Sequence, residues 1–221
     1  LSEYRNTQLA TIAMYVCAVA GLTILTGLSG QISLGNGAFM FVGAYTVALL
    51  LEHHVTTSNG VLALFLVVAV LVAAFAGALV GVAAARLRGP YLAGITLALA
   101  VGLPVLPKYS HLQSSLGGHA GISVNAPAPP GDMNYFRWQA WLCLIAAAIT
   151  LFLLANLSSS RVGRAFRAVR DDEIAASLAG LPVARVQVLA FVVSAACAGL
   201  AGGLFGILSL TVLPDLFTSL V

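Results

Sequence analysis

The stretch Val61–Ala85, VLALFLVVAVLVAAFAGALVGVAAA, runs for 25 residues without a charged side chain. At ~1.5 Å per residue a helix of this length covers ~37 Å, more than the ~30 Å hydrocarbon core of a bilayer. The stretch therefore reads as a transmembrane helix. Five further runs lack Lys, Arg, Asp and Glu: Leu9–Leu28, Ile32–Leu51, Tyr91–Pro107, Trp138–Leu157 and Val186–Leu210. Composition agrees, since 60% of the 221 residues are hydrophobic and 8% are charged, against roughly 25% charged in soluble domains. The expected fold is an all-α integral membrane protein, a polytopic bundle of about six transmembrane helices forming a single domain over residues 1–221. Cys17, Cys143 and Cys197 all fall inside apolar runs, as buried small hydrophobes do, and no disulfide or metal spacing appears. The chain opens at Leu1 without an initiator Met and enters a span at Leu9, so both ends are expected to continue.

Two spans are weaker than the rest. The second starts in glycine-rich sequence, and the fourth is short and ends with Pro104 and Pro107. Both are expected to be broken or re-entrant, and backbone of that kind survives at membrane depth only against protein or a watery cavity. The arginines set the orientation. Arg86–Arg88 and the loop 158–185, with five arginines, fall on one side if six spans alternate, which makes that side cytoplasmic. The glycine- and proline-rich loop 108–137 then lies outside the cytoplasm, and Trp138 and Trp141 are placed for an interfacial aromatic belt.

Loop 158–185 reads SSSRVGRAFRAVRDDEIAASLAGLPVAR, the one strongly charged stretch. As a single helix it mixes arginines with Ile174 and Leu178; broken at Asp171–Asp172 it separates cleanly. Arg161–Arg170 then carries Ala165, Phe166 and Val169 on one side and Arg164, Arg167 and Arg170 on the other. Asp171, Asp172 and Glu173 suit the positive N-terminus of a second short helix, which Gly180 closes in the left-handed conformation and Pro182 stops. From the residues alone, such a helix is either an interfacial anchor or a docking element for a soluble partner. If it docks, Ala175 and Ala176 would let it lie flush in a partner's groove, and the arginines would meet acids there or anionic lipid.

The segment Glu173–Gly180, EIAASLAG, resembles the EAA loop of ABC importer permeases, with Ala175, Ala176 and Gly180 keeping its core. It departs from the commonest form by one residue between Glu173 and the alanine pair. That variant is similar to the branched-chain amino acid permease family, in its second-subunit type. GLSGQISLGNGAFMFVGAYTVALL at 27–50, RGPYLAGITLALA at 88–100, SLGGHAGI at 115–122 and the whole of 163–206 resemble that family in the same order. The resemblance implies a permease subunit in the bacterial inner membrane. It implies a homologous second permease subunit, two cytoplasmic ATPase subunits on the 171–180 helix and an extracytoplasmic substrate-binding protein. Its cargo would be branched-chain or related hydrophobic amino acids, or alternatively urea or short amides. No cofactor and no nucleic-acid partner are expected. The chain's one lysine, Lys108, follows Pro107, so no GxxxxGK[ST] phosphate loop is present and ATP hydrolysis belongs to another chain.

Candidate pathway residues are Gln31, Ser33 and Asn36, clustered among glycines at the start of the second span, and Thr96 in the fourth. Polar side chains at such depth face a cavity or another helix. The bland alternative is a turn followed by close packing, with Thr96 bonding back within its helix. Gly77 and Gly81, Gly199 and Gly203, and Gly202 and Gly206 have the spacing of close helix contacts. Glu52, His53 and His54 make a poor metal cage. A channel or secondary transporter would need an ion-coupling residue in a span or an inverted repeat, and neither is found. An intramembrane enzyme would need catalytic side chains within the spans, and the histidines fall in the loops.

Overall fold

The computed structural model describes residues 3–53, 59–85, 90–109, 121–124, 129, 134–209 and 211–213. The arginines at 86 and 88, His54, most of the 108–137 loop and Leu210 lie outside those residues. Helix α1, Glu3–Thr23, continues as one π-helical turn, Ile24–Leu28, and gives way to a non-helical segment over 29–35. Then follow α2 (Asn36–His53), α3 (Asn59–Ala84) and α4 (Pro90–Gly102), the last tightening into a 3-10 helix over Leu103–Lys108. After strand β1, Ile122–Ser123, come α5 (Tyr135–Ser159), α6 (Arg161–Asp171), α7 (Glu173–Leu178) and α8 (Val183–Leu208), and strand β2, Thr211–Val212.

Among the described residues, α1 with its extension, α3, α5 and α8 are long and apolar enough to cross a bilayer, whereas α2 and the α4 region are shorter. The two short ones are the pair whose sequence looked interrupted. α2 starts at Asn36, not Ile32, because the preceding 29–35 backbone is non-helical. α4 ends at Gly102, because prolines at 104 and 107 cannot donate to an α-helical ladder. Some other boundaries move outward. α2 takes in Glu52 and His53, placing His53 at a helix end and not in the loop, and α8 starts at Val183 directly after Pro182.

The packing is that of a protein dissolved in lipid. Lipid offers no hydrophobic drive between helices, so association rests on close van der Waals fit between small residues. α8 is the central helix, 61% buried over its apolar window against 28% for α3 and for α5, and it packs on α1, α2 and α3. Its Gly199 meets Ala73 of α3, its Gly202 meets the Met40 backbone of α2, and Gly77 of α3 meets Ala195. A β-carbon at any of these would collide with the neighbouring helix. The large side chains point the other way: Leu64, Leu71, Phe75 and Leu79 of α3 are exposed. Cys17, Cys143 and Cys197 are buried and unpaired by disulfides.

Two features depart from the expectations. Trp138 is 7% exposed and packs 6.1 Å from Tyr135, so it belongs to the core; Trp141 is the exposed one of the pair. Within the stretch expected to be only loop, β1 pairs antiparallel with β2, Ile122 opposite Val212, and both side chains are buried. This short ladder clips the chain after α4 to the end of α8.

Candidate coupling site

The arginine-bearing end of the bundle is built from three consecutive local decisions. Ser160 caps α6 by accepting from the Val162 and Gly163 amides at 3.1 and 3.4 Å. Phe166 and Val169 are then fully buried while the arginines face out. Arg167 donates to the Ser158 carbonyl at 3.1 Å and Arg164 reaches the Ser159 carbonyl at 3.4 Å. Both therefore satisfy the C-terminal carbonyls of α5, where a cation is favoured. Each makes one bond within the chain and stays exposed.

The break falls at Asp172, whose extended backbone ends α6 and whose carboxylate caps α7 by accepting from the Ile174 and Ala175 amides at 2.8 and 3.0 Å. Asp171 pairs with Arg170 at 2.8 Å, and Glu173 accepts from Gln187 at 2.9 Å. At the other end Gly180 adopts φ +84°; its amide bonds to the Ser177 carbonyl and that of Leu181 to the Ala176 carbonyl, both at 3.0 Å. These are the two bonds of a Schellman close. α7 is thereby fixed at both ends, which a helix of six residues requires, since one so short does not persist alone. Its faces are not those expected. Ala176 is 5% exposed and turned inward, so it seats the helix on its own chain. Ile174, at 74%, and Leu178, at 84%, point outward beside Ala175.

The expected pathway residues lie next to this helix pair. Gln31, Ser33 and Thr96 are buried, and all three are used to hold the backbone of 29–35. Gln31 donates to Ser29 Oγ at 2.7 Å, Ser33 Oγ accepts from the Gly35 amide at 3.2 Å, and Thr96 Oγ1 accepts from the Leu34 amide at 3.0 Å. Thr96 also bonds back to Leu92, as the bland alternative held, at 3.0 Å. Asn36 differs: its Oδ1 is buried without a hydrogen-bond partner. Ser29 and Gln187 also take part, and neither stands out in the sequence. A cleft of about 430 Å³ opens between the 29–35 segment and α7, bordered by Gln31, Leu92, Glu173 and Gln187. No group of three or more potential metal ligands occurs among the described residues.

The family of this chain follows from its relatives. The model for the branched-chain amino acid transport system permease component matches residues 6–220. The chain belongs to that permease family. It is 35% identical over 242 residues to the high-affinity branched-chain amino acid transport system permease protein LivM of Escherichia coli (strain K12), covering 96% of this chain and 55% of that protein. It is 26% identical over 184 residues to a probable branched-chain amino acid transport permease protein LivM of Methanocaldococcus jannaschii, covering 80% of this chain and 53% of that one. To the permease protein LivH of the corresponding high-affinity system in Salmonella typhimurium it is 30% identical over 208 residues, covering 87% and 66%. The chain thus spans about half the length of these LivM proteins. No solved structure gives a significant match. With several apolar helices and permease relatives, this is a multi-pass membrane protein.

Proposed function

We propose that this chain is the membrane-spanning permease part of an ABC-type importer for branched-chain or related hydrophobic amino acids in the bacterial inner membrane. It performs no catalysis itself. Two cytoplasmic ATPase subunits hydrolyse ATP, a homologous second permease subunit completes the channel, and an extracytoplasmic binding protein delivers the cargo.

The observation that carries this is the outward face of α7. A helix of two turns is capped at both ends, seated by Ala176, and then presents Ile174 and Leu178 almost bare. Its end of the molecule is the arginine-rich one, which the positive-inside bias makes cytoplasmic. Burial in the bilayer surface is a poor use for that face, since Asp171, Asp172 and Glu173 stand directly before it and anionic head groups repel acids. A groove on a soluble ATPase removes the same apolar area from water without that penalty. Asn36 is the better of the pathway candidates to meet cargo, because its oxygen alone is buried and unspent; Gln31, Ser33 and Thr96 keep the break in shape. The test is uptake of labelled leucine into proteoliposomes holding the assembled transporter. Uptake requiring both ATP and the binding protein is expected, lost in Asn36→Leu with the complex intact. Uptake without ATP contradicts the proposal.

A further inference from the structure

Two links run from α6 and α7 to the non-helical segment 29–35 and the π turn before it. In the first, Arg170 Nη1 donates to the Gly27 carbonyl at 2.8 Å, and the side-chain stem lies over Gly30. A β-carbon at Gly30 would stand 2.6 Å from Arg170 Cγ, and Gly30 has φ +72°, so space and conformation both call for glycine. In the second, Gln187 at the base of α8 donates to Glu173 of α7 at 2.9 Å. The Gln187 main-chain carbonyl lies a long 3.5 Å from the side-chain Nε2 of Gln31, which also donates to Ser29 Oγ. From the segment, the Leu34 amide passes the contact on to Thr96 of α4 at 3.0 Å.

The segment also lies outside regular helical structure. The π turn before it leaves the Ser29 and Gln31 amides bonded to Ile24 and Leu25, out of α-helical register, and the cleft beside it gives room to shift. α3 and α8, by contrast, interlock through glycines and have no such slack. A displacement applied at α7 is therefore absorbed more readily at this break than in the packed spans, as hinges absorb backbone change that close-packed elements resist.

We propose, on the footing of the importer function above, that Arg170 and Gln187 are positioning residues that clamp segment 29–35 to α6 and α7. Movement of α7 by an ATPase then resets the break between α1 and α2 and, through Thr96, the position of α4. Two measurements on Arg170→Ala, Gln31→Leu (which removes the donor to the Gln187 main-chain carbonyl) and the double variant test this. In the full-length protein in nanodiscs, without partners, hydrogen exchange of peptides covering 29–35 rises several-fold in the variants while α3 and α8 exchange as in wild type. In the assembled transporter the ATPases co-purify as before and hydrolyse ATP, but leucine uptake per ATP falls several-fold. Unchanged exchange over 29–35, or unchanged uptake per ATP, overturns the clamp. Failure of the wild-type chain to recruit any ATPase contradicts the proposed function instead, and the exchange measurement still decides the clamp by itself.

Discussion

Gly180 shows how a single position sets the geometry of α7. Its φ of +84° is disfavoured for any residue with a β-carbon, by about 1–2 kcal/mol, yet a β-carbon there would meet no atom within 4 Å. The cost of substitution is thus conformational and not steric. Gly180→Ala should weaken ATPase recovery by roughly tenfold, the equivalent of about 1.4 kcal/mol, and Gly180→Val should be worse because β-branching further resists positive φ. Titrating ATPase onto immobilised permease checks the order. At Ala176 the reason for a severe effect changes. At 5% exposure this residue faces its own chain, and a tryptophan there prises α7 off it. Ala176→Trp should therefore raise proteolysis across 171–182 even with no ATPase present. Asp172→Ala, which removes the α7 cap, should cost about 1 kcal/mol of local stability and produce a milder version of the same sensitivity.

At the level of elements, legibility followed length. α3 and α5 could be read from unbroken apolar runs, and the interruptions of the second and fourth spans from glycines and prolines that act locally. The helix pair after α5 was legible too, because Asp172, Gly180 and Pro182 are start and stop signals whose effect does not depend on distant contacts. Which side of α7 faces inward was not legible, since six residues give too few turns for a periodicity. Ladder β1–β2 was invisible for a different reason: two-residue strands joined across 90 positions, Ile122 to Val212, leave no pattern in either neighbourhood. Gln187 was hidden in the same way, because a lone polar residue near a helix start does not announce its partner. Asn36 could be singled out among the pathway candidates only once its neighbours were seen to be hydrogen-bonded elsewhere.

Among the described residues, glycines and alanines let the central helices meet, and the two ends carry different chemistry: arginine-rich helices at one, the strand pair at the other. With the arginine-rich end in the cytoplasm, Ser159→Cys should react with a membrane-impermeant thiol reagent only in inside-out vesicles, and Thr211→Cys only in right-side-out ones. Reaction of both from one face would overturn the orientation. The central claim is that α7 is where a separate motor takes hold of the spans. Its most direct test is co-purification of the ATPase subunits with affinity-tagged permease carrying Ile174→Ser and Leu178→Ser. These two side chains are 74% and 84% exposed, so the permease itself should insert and fold as before. Each loses apolar burial worth roughly 1.5–3 kcal/mol on docking, and ATPase recovery should fall to background. Recovery equal to wild type would mean that the motor binds elsewhere and that α7 is an anchor.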